Sequence, residues 1–429
     1  MKKLLKMVAF VLIAVFVLTA CGPTQPTAAP EQPVEETEVV TAEPEQPVEE
    51  TAEVVAEPLK DVTIGILMVG PYNDRGWSEA HYLAGLYAEE KVPGTKMIYV
   101  DKVNPADRPG TTPDQLAEEL VAQGANLIIF NSDDMKDGSY DFAINHPEIP
   151  VLHISGDYAW EEGKNFKDLP NYANFMPKME YGEMIGGCAA ALSSNTGKIG
   201  FVGPLINDET RRYANAFYLG AKYCWTEYLG KPAEDLQMKV TWIGFWFNIP
   251  GFTADPSQVS DEFLNSGYDV LASGLDTTEA LVQTQKAATA GADVKAVAYD
   301  YEMACDEAPE ICLGVRYFNW GPAYVKAVKM VQEGTFKPYW EFGELDWADI
   351  NNPDTSPAGF KKGDGLSAEN AALVDQFIGE LGSGLNLWVG PLNWQDGSVF
   401  LKDGEVATDF QIWYADQLLE GIEGQSVSE

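Results

Sequence analysis

The sequence predicts an α/β protein of two Rossmann-like lobes, each with a parallel sheet, joined by a hinge. Three observations lead there. From Val62 onward, short apolar runs alternate with amphipathic helical stretches, the pattern of strand–helix–strand units. The apolar runs are continuous, as strands covered on both faces require. The alternation occurs in two sets, roughly Val62–Ser155 and Gly197–Asp300, and 429 residues exceed one ordinary domain.

From the N-terminus, Lys2, Lys3 and Lys6 flank MVAFVLIAVFVL, an apolar run short for a membrane span and suited to a signal peptide. It ends in Leu18-Thr19-Ala20-Cys21, the small residues and cysteine that a lipoprotein signal peptidase requires. Residues 1–21 are therefore expected to be a lipoprotein signal, with Cys21 acylated and left as the new N-terminus. Several acyl chains on one residue anchor stably, which predicts a location in the cell envelope, extracytoplasmic and lipid-anchored to the membrane. Residues 22–58 repeat EQPVEET at Glu31 and Glu45 and hold no aromatic residue. Proline and like charges predict an extended, disordered stalk there.

VTIGILMV, TKMIYV, ANLIIF, PVLHIS, GKIGFVG, MKVTWIGF, DVLASG and VKAVAYD read as strands. SEAHYLAGLYAEE, PDQLAEELVAQG, KMEYGEMIGGCAAALS, ETRRYANAFYLGAKYCWTEY, TTEALVQTQKAATAG and GPAYVKAVKMVQEG read as helices, and WQDGSVFLKDGE as a hairpin turned at Asp-Gly. The first lobe is expected to take residues 59–175 plus about 318–340, the second 176–317 plus about 341–429. Cys305 and Cys312 bracket DEAPEI and suggest a small disulfide loop, whereas Cys188 and Cys224, in helical stretches, leave buried free thiols and a second disulfide both open.

A net charge of −38, from 66 acidic and 28 basic residues, repels nucleic acid and excludes it as a partner. Three histidines and no CxxC predict no metal site. No GxxxxGK[ST] or GxGxxG follows a strand, and no cofactor is expected.

Parallel sheets place ligands at the carboxyl ends of their strands, and candidate residues recur there. Asp74 and Trp77 follow the first strand, and Asn131, Ser132, Asp133 and Asp134 follow ANLIIF. Trp246 sits within Phe245–Phe247 after MKVTWIG, Asp276 follows DVLASG, and Asp300 closes VKAVAYD. An anionic ligand would need more than Arg75. The carboxylates Asp74, Asp276 and Asp300 leave a hydrolase conceivable. A neutral planar ligand fits better, because ionised aspartates accept from sugar hydroxyls or base N–H groups and facing aromatics sandwich a ring. Structural readings compete: Asp74 as a helix N-cap, Trp77 as core packing, Phe245 and Phe247 turned inward by strand alternation, and Arg75, His81 and Tyr299 as scaffold.

These stretches also resemble a known family. DRGWSEAHYLAG, YGEMIGGCAAALSSNTGKIGFVGPL, NAFYLGAKY, VTWIGFWFN, LDTTEA, AYDYEM, FNWGPAYVKAV and the terminal hairpin are similar to the basic membrane protein (BMP) family of ABC-transporter substrate-binding lipoproteins. The resemblance covers nearly everything after the stalk, and the best-known members are purine nucleoside receptors. It implies the type I periplasmic-binding-protein fold, no enzymatic activity, and delivery of ligand to an ABC permease. It also implies a purine stacked between Trp77 and Trp246, with Asp74, Asp276 and Asp300 at the base edge or ribose. Two departures stand out. The loop NSDDMKDG, with Asn131, Ser132 and Asp133, replaces a run of small and aromatic residues, and Phe318 stands where the nucleoside receptors carry a lysine near the ribose. Losing that lysine leaves a free base such as adenine open beside a nucleoside. The rival expectations are a sugar-binding receptor of the same fold and a secreted nucleoside hydrolase.

Overall fold

The computed structural model describes residues 59–427, so the signal peptide, Cys21 and the stalk lie outside the described residues. The chain lays down β1 (Val62–Leu67), α1 (Trp77–Lys91), β2 (Thr95–Val100), α2 (Pro113–Ala122), β3 (Leu127–Phe130), α3 (Lys136–Asn145), β4 (Val151–Ile154) and β5 (Tyr172–Pro177). It continues with α4 (Met179–Ser193), β6 (Lys198–Gly203), α5 (Asp208–Tyr223), β7 (Gln237–Trp242), α6 (Pro256–Asn265), β8 (Val270–Ser273), α7 (Glu279–Thr289), β9 (Lys295–Asp300) and β10 (Cys312–Phe318). Then come α8 (Gly321–Gln332), β11 (Tyr339–Gly343), β12 (Ala358–Lys362), α9 (Ala368–Gly382), β13 (Leu392–Asn393), β14 (Val399–Leu401), α10 (Asp409–Trp413) and β15 (Ile422–Glu423).

Two sheets organise these elements. The first runs β11-β5-β4-β3-β1-β2 and is wholly parallel. The second runs β12-β10-β9-β8-β6-β7-β15, parallel except for β12, which pairs antiparallel with β10. Central strands such as LIIF and VLHI are buried along their whole length, which is why they read as unbroken apolar runs. Because α4 packs on α5, β9 and β10, and α8 packs on α1 and β1, the chain crosses between the halves three times. The crossings fall at Lys178, at Asn319–Trp320 and in residues 344–357. A two-residue pairing of β13 with β14 forms the expected hairpin, with Gly397 at φ 82° in its turn.

The small-residue stretch of α4 is explained by its contact with α5. A Cβ on Gly187 would lie 1.9 Å from the Phe217 carbonyl oxygen, so the helices touch backbone to backbone. Next to that contact Cys188 and Cys224 are joined in a disulfide, both fully buried, which decides between the free thiols and the pairing that the sequence left open. In one helix each, two cysteines give no hint in sequence that their helices lie side by side. Cys305 and Cys312 also pair. The second sheet holds a buried arginine, Arg316 in β10, whose Nε lies 2.6 Å from Glu183 of α4. Among the described residues no helix is long and apolar enough to cross a membrane.

Candidate functional site

The carboxyl ends of both sheets face a shared cavity of about 480 Å³, its open mouth included, with walls that are mostly apolar. From the first half come Trp77, Ser132, Asp133 and Ser155; from the second come Trp246, Asp276, Glu183, Glu209, Tyr213 and Tyr299. The structure therefore brings Trp77, Trp246, Asp276, Ser132 and Asp133 to one cavity.

Trp77 begins α1 and is held on every side. Its indole N–H donates to the Asn131 carbonyl at 2.7 Å, and its ring meets Phe318, Trp320 and His81 edge-on at 5.0–5.1 Å. His81 stacks on Trp320 at 4.4 Å, with Nδ1 2.7 Å from the Tyr324 hydroxyl. Burial pushes its pKa well below the usual value, so the imidazole is neutral. His81 is scaffold, as its position one turn into the helix suggested.

Three expected ligand contacts turn out to serve this platform or stand behind it. Asp74 does not line the cavity: its carboxylate accepts from the backbone N–H groups of Gly76, Ser78 and Glu79 at 2.9–3.0 Å, satisfying the free donors of the α1 N-terminus. Burial nonetheless pushes its carboxyl up to about 6, against the pull of those donors. Asn131 holds the backbone of Val69 through Oδ1 and Trp77 through its carbonyl, and it too lies off the cavity lining. Phe318 backs Trp77 and stacks on Trp320 at 4.7 Å instead of facing the cavity. Ser132, whose hydroxyl accepts from the Asp134 N–H, keeps Asp133 at the rim.

The opposite wall has another character. Strand β7 ends at Trp242, so strand alternation does not govern Phe245–Phe247, as the sequence reading assumed; these residues form a bend. Trp246 faces the cavity while Phe245 and Phe247 pack edge-on against each other at 5.1 Å. The Trp246 carbonyl accepts from the Asp276 N–H at 3.1 Å, tying the two loops together. The Trp246 indole nitrogen, the Tyr213 hydroxyl and both carboxylate oxygens of Asp300 are buried without a hydrogen-bond partner. Asp300 itself is off the cavity lining, fully buried at a left-handed φ of 67°. Neither Asp276 nor Asp300 forms an ion pair among the described residues. Burial first holds both carboxyls well above the ordinary range; the charges of Asp74 and Glu209 add to it at Asp276, and those of Asp276 and Asp74 at Asp300. Glu183 and Glu209 are each pushed up to about 7 by burial, partly opposed by Arg316 and Arg212.

Glu209, Ser155, Tyr213 and Tyr299 were missed as site residues, and Tyr299 lines the cavity in addition to packing on Phe318. The signal for two of them was present. Ser155 directly follows β4, and Glu209 lies in the first turn of α5, the helix that follows β6; the Ser155 hydroxyl donates to Glu209 at 2.8 Å across the cleft.

Two parallel sheets, three crossings and an aromatic-walled cavity between the halves define a hinged two-lobe binding protein of the periplasmic-binding-protein class. Within that class the chain belongs to the Bmp family, described as "ABC transporter substrate-binding protein PnrA-like", which matches residues 61–352. Proteins of this kind work outside the cytoplasm, bind a ligand and hand it to an ABC permease; the family is one of binding proteins and not of enzymes. A purine-binding protein of Brucella abortus (strain 2308) is 28% identical over 351 residues, covering 81% of this chain and 88% of the relative. A solute-binding protein of an ABC transporter from Aeropyrum pernix K1 superposes with a TM-score of 0.58 at 15% identity, over 78% of this chain and 93% of that one. One from Conexibacter woesei DSM 14684 gives 0.55 at 16% identity, over 76% and 98%. These two likenesses concern the fold alone.

Proposed function

We propose that this protein captures a purine, as free base or nucleoside, between Trp77 and Trp246 and delivers it to the permease of an ABC importer. One observation carries the reading: two indoles from opposite lobes face one cavity whose remaining wall holds unpaired buried donors and acceptors. The Trp246 N–H and Tyr213 hydroxyl can donate to ring nitrogens. The Asp276 carboxylate, with Asp300 behind it, can accept from ring or exocyclic N–H groups. A stacked base contributes on the order of 1–3 kcal/mol per aromatic face. The purine-binding relative supports the same ligand class. The signal segment and Cys21 support lipid anchoring of the mature chain at the membrane.

Calorimetry with adenine, adenosine, guanosine and inosine tests this. At least one purine is expected to bind; binding of a pentose or hexose with none of the purines would replace the reading with a sugar receptor. Incubation with nucleosides should release no free base, and release would favour the hydrolase.

A further inference from the structure

The two lips of the cleft meet in a seam built for contact. On the first lobe the seam is Arg75-Gly76, between Asp74 and the start of α1. A Cβ on Gly76 would lie 1.7 Å from the Asp276 carbonyl oxygen, so this position admits only glycine while the lips touch. Arg75 has a left-handed φ of 60°, uncommon for a residue with a side chain, and its N–H is held by Glu79 at 2.8 Å. That twist sends the guanidinium over the second lobe. There Nη2 lies 3.2 Å from Glu307, and the group sits 5.6 Å from the centre of the Tyr301 ring. Glu79 reaches the same spot: after burial, its carboxylate is the main influence raising the Tyr301 hydroxyl pKa. Both partners of Arg75 lie on the loop of residues 301–311, which the Cys305–Cys312 disulfide ties to the start of β10.

We propose that Arg75 is an interlobe latch, a positioning residue that sets how long the closed lobes hold their ligand without touching it. Arg75 is outside the cavity lining, so it does not read the ligand's chemistry. It is a cation in a strongly acidic chain, and its contacts exist only while the lips are together. Breaking them acts on opening and leaves encounter unaffected. An exposed ion pair and a half-exposed cation–π contact are each individually weak. Together they correspond to about a fivefold change in dissociation rate, reduced by salt as the pair is screened.

The test uses the full chain, with adenine and adenosine as probes, in stopped-flow tryptophan fluorescence. Arg75→Ala is expected to raise the dissociation rate about fivefold, with the association rate and the adenine-to-adenosine preference unchanged. Arg75→Lys should restore part of the loss, Glu307→Gln should reproduce only the ion-pair share of it, and the double variant should lose no more than Arg75→Ala alone. Gly76→Ala, which wedges the seam through the backbone, should exceed them all. A dissociation rate unchanged in Arg75→Ala, or a changed preference between the probes, overturns the latch. If neither probe binds, the purine reading fails and amide exchange of the unliganded protein decides the latch separately. Faster exchange at 276–279 in Arg75→Ala supports it, and equal exchange overturns it.

Discussion

The two walls of the cavity are built on opposite plans. Trp77 is a finished platform: its N–H is bonded, its ring is gripped by Phe318, Trp320 and His81, and the nearby aspartate caps its helix. Trp246 sits on a bend, its N–H without a partner, beside the Asp276 and Asp300 carboxyls, which form no ion pair among the described residues. One wall supplies shape, rigid beforehand; the other supplies unmet hydrogen-bonding capacity. Hot-spot binding favours this division, because a preorganised face costs little to order while unpaired polar groups give discrimination.

The comparison extends into the cores, where it is easiest to break. The second lobe rests on Arg316 and Glu183, a fully buried ion pair at 2.6 Å. Arg316→Ala should cost about 3–5 kcal/mol of stability by stranding Glu183, measured by denaturant unfolding. Trp77→Ala should be nearly as damaging, about 3 kcal/mol or more, since it opens a hole among packed rings, and it should weaken ligand as well. Trp246→Ala should cost less stability than Trp77→Ala, because its ring is buried outside the packed core, and should weaken a bound purine by about 1–3 kcal/mol in calorimetry. Equal stability losses for the two tryptophans would erase the contrast between platform and chemistry.

The smallest effect is a pH dependence of opposite sign between the buried histidines of the first lobe and the buried glutamates of the second, with Asp74, raised to about 6, working against the histidines below that pH. In the first, buried His81 and His153 have pKa values lowered from 6.5, so folding favours their neutral forms; the stability they contribute is lost as pH falls below about 6.5. In the second, Glu183 and Glu209 are raised from 4.5 to about 7, so the folded lobe holds protons that the unfolded chain releases, and stability declines as pH rises from 4.5 through 7. Lobe-resolved amide exchange between pH 5 and 7.5 should show the trends crossing, and Glu209→Gln should flatten the second one.

The sequence exposed the strands whose burial is purely apolar and hid those whose burial is ionic. VTIGILMV and ANLIIF announce themselves, but Gly314 and Arg316 interrupt β10, and only the Glu183 carboxylate one helix away makes an arginine tolerable there. β5 carries Asn174, whose amide bonds the carbonyls of His153 and Ser155 and the N–H of Ala159, so a core residue reads as a loop residue. The positions of Trp77, Trp246 and Asp276 on the cavity followed from the rule of strand ends. The turning of Asp74 onto its own helix was one of two readings the sequence left open, and the retreat of Asn131, Asp300 and Phe318 behind the wall did not follow from it. Side-chain direction at a strand end is decided by which backbone donors happen to lie nearby, and spacing does not encode it.

The Cys188–Cys224 bond has a consequence of a kinetic kind. Both sulfurs are wholly enclosed where α4 meets α5, so a reductant in the surrounding medium reaches them only after those helices part. Its rate of reduction is therefore set by how often the second lobe comes undone, and thiol labelling after a reducing pulse would time that event. The Cys305–Cys312 bond, with one half-buried partner, answers to the medium instead. Side by side they form a pair of chemical clocks, one running on the protein's own opening and the other on its surroundings.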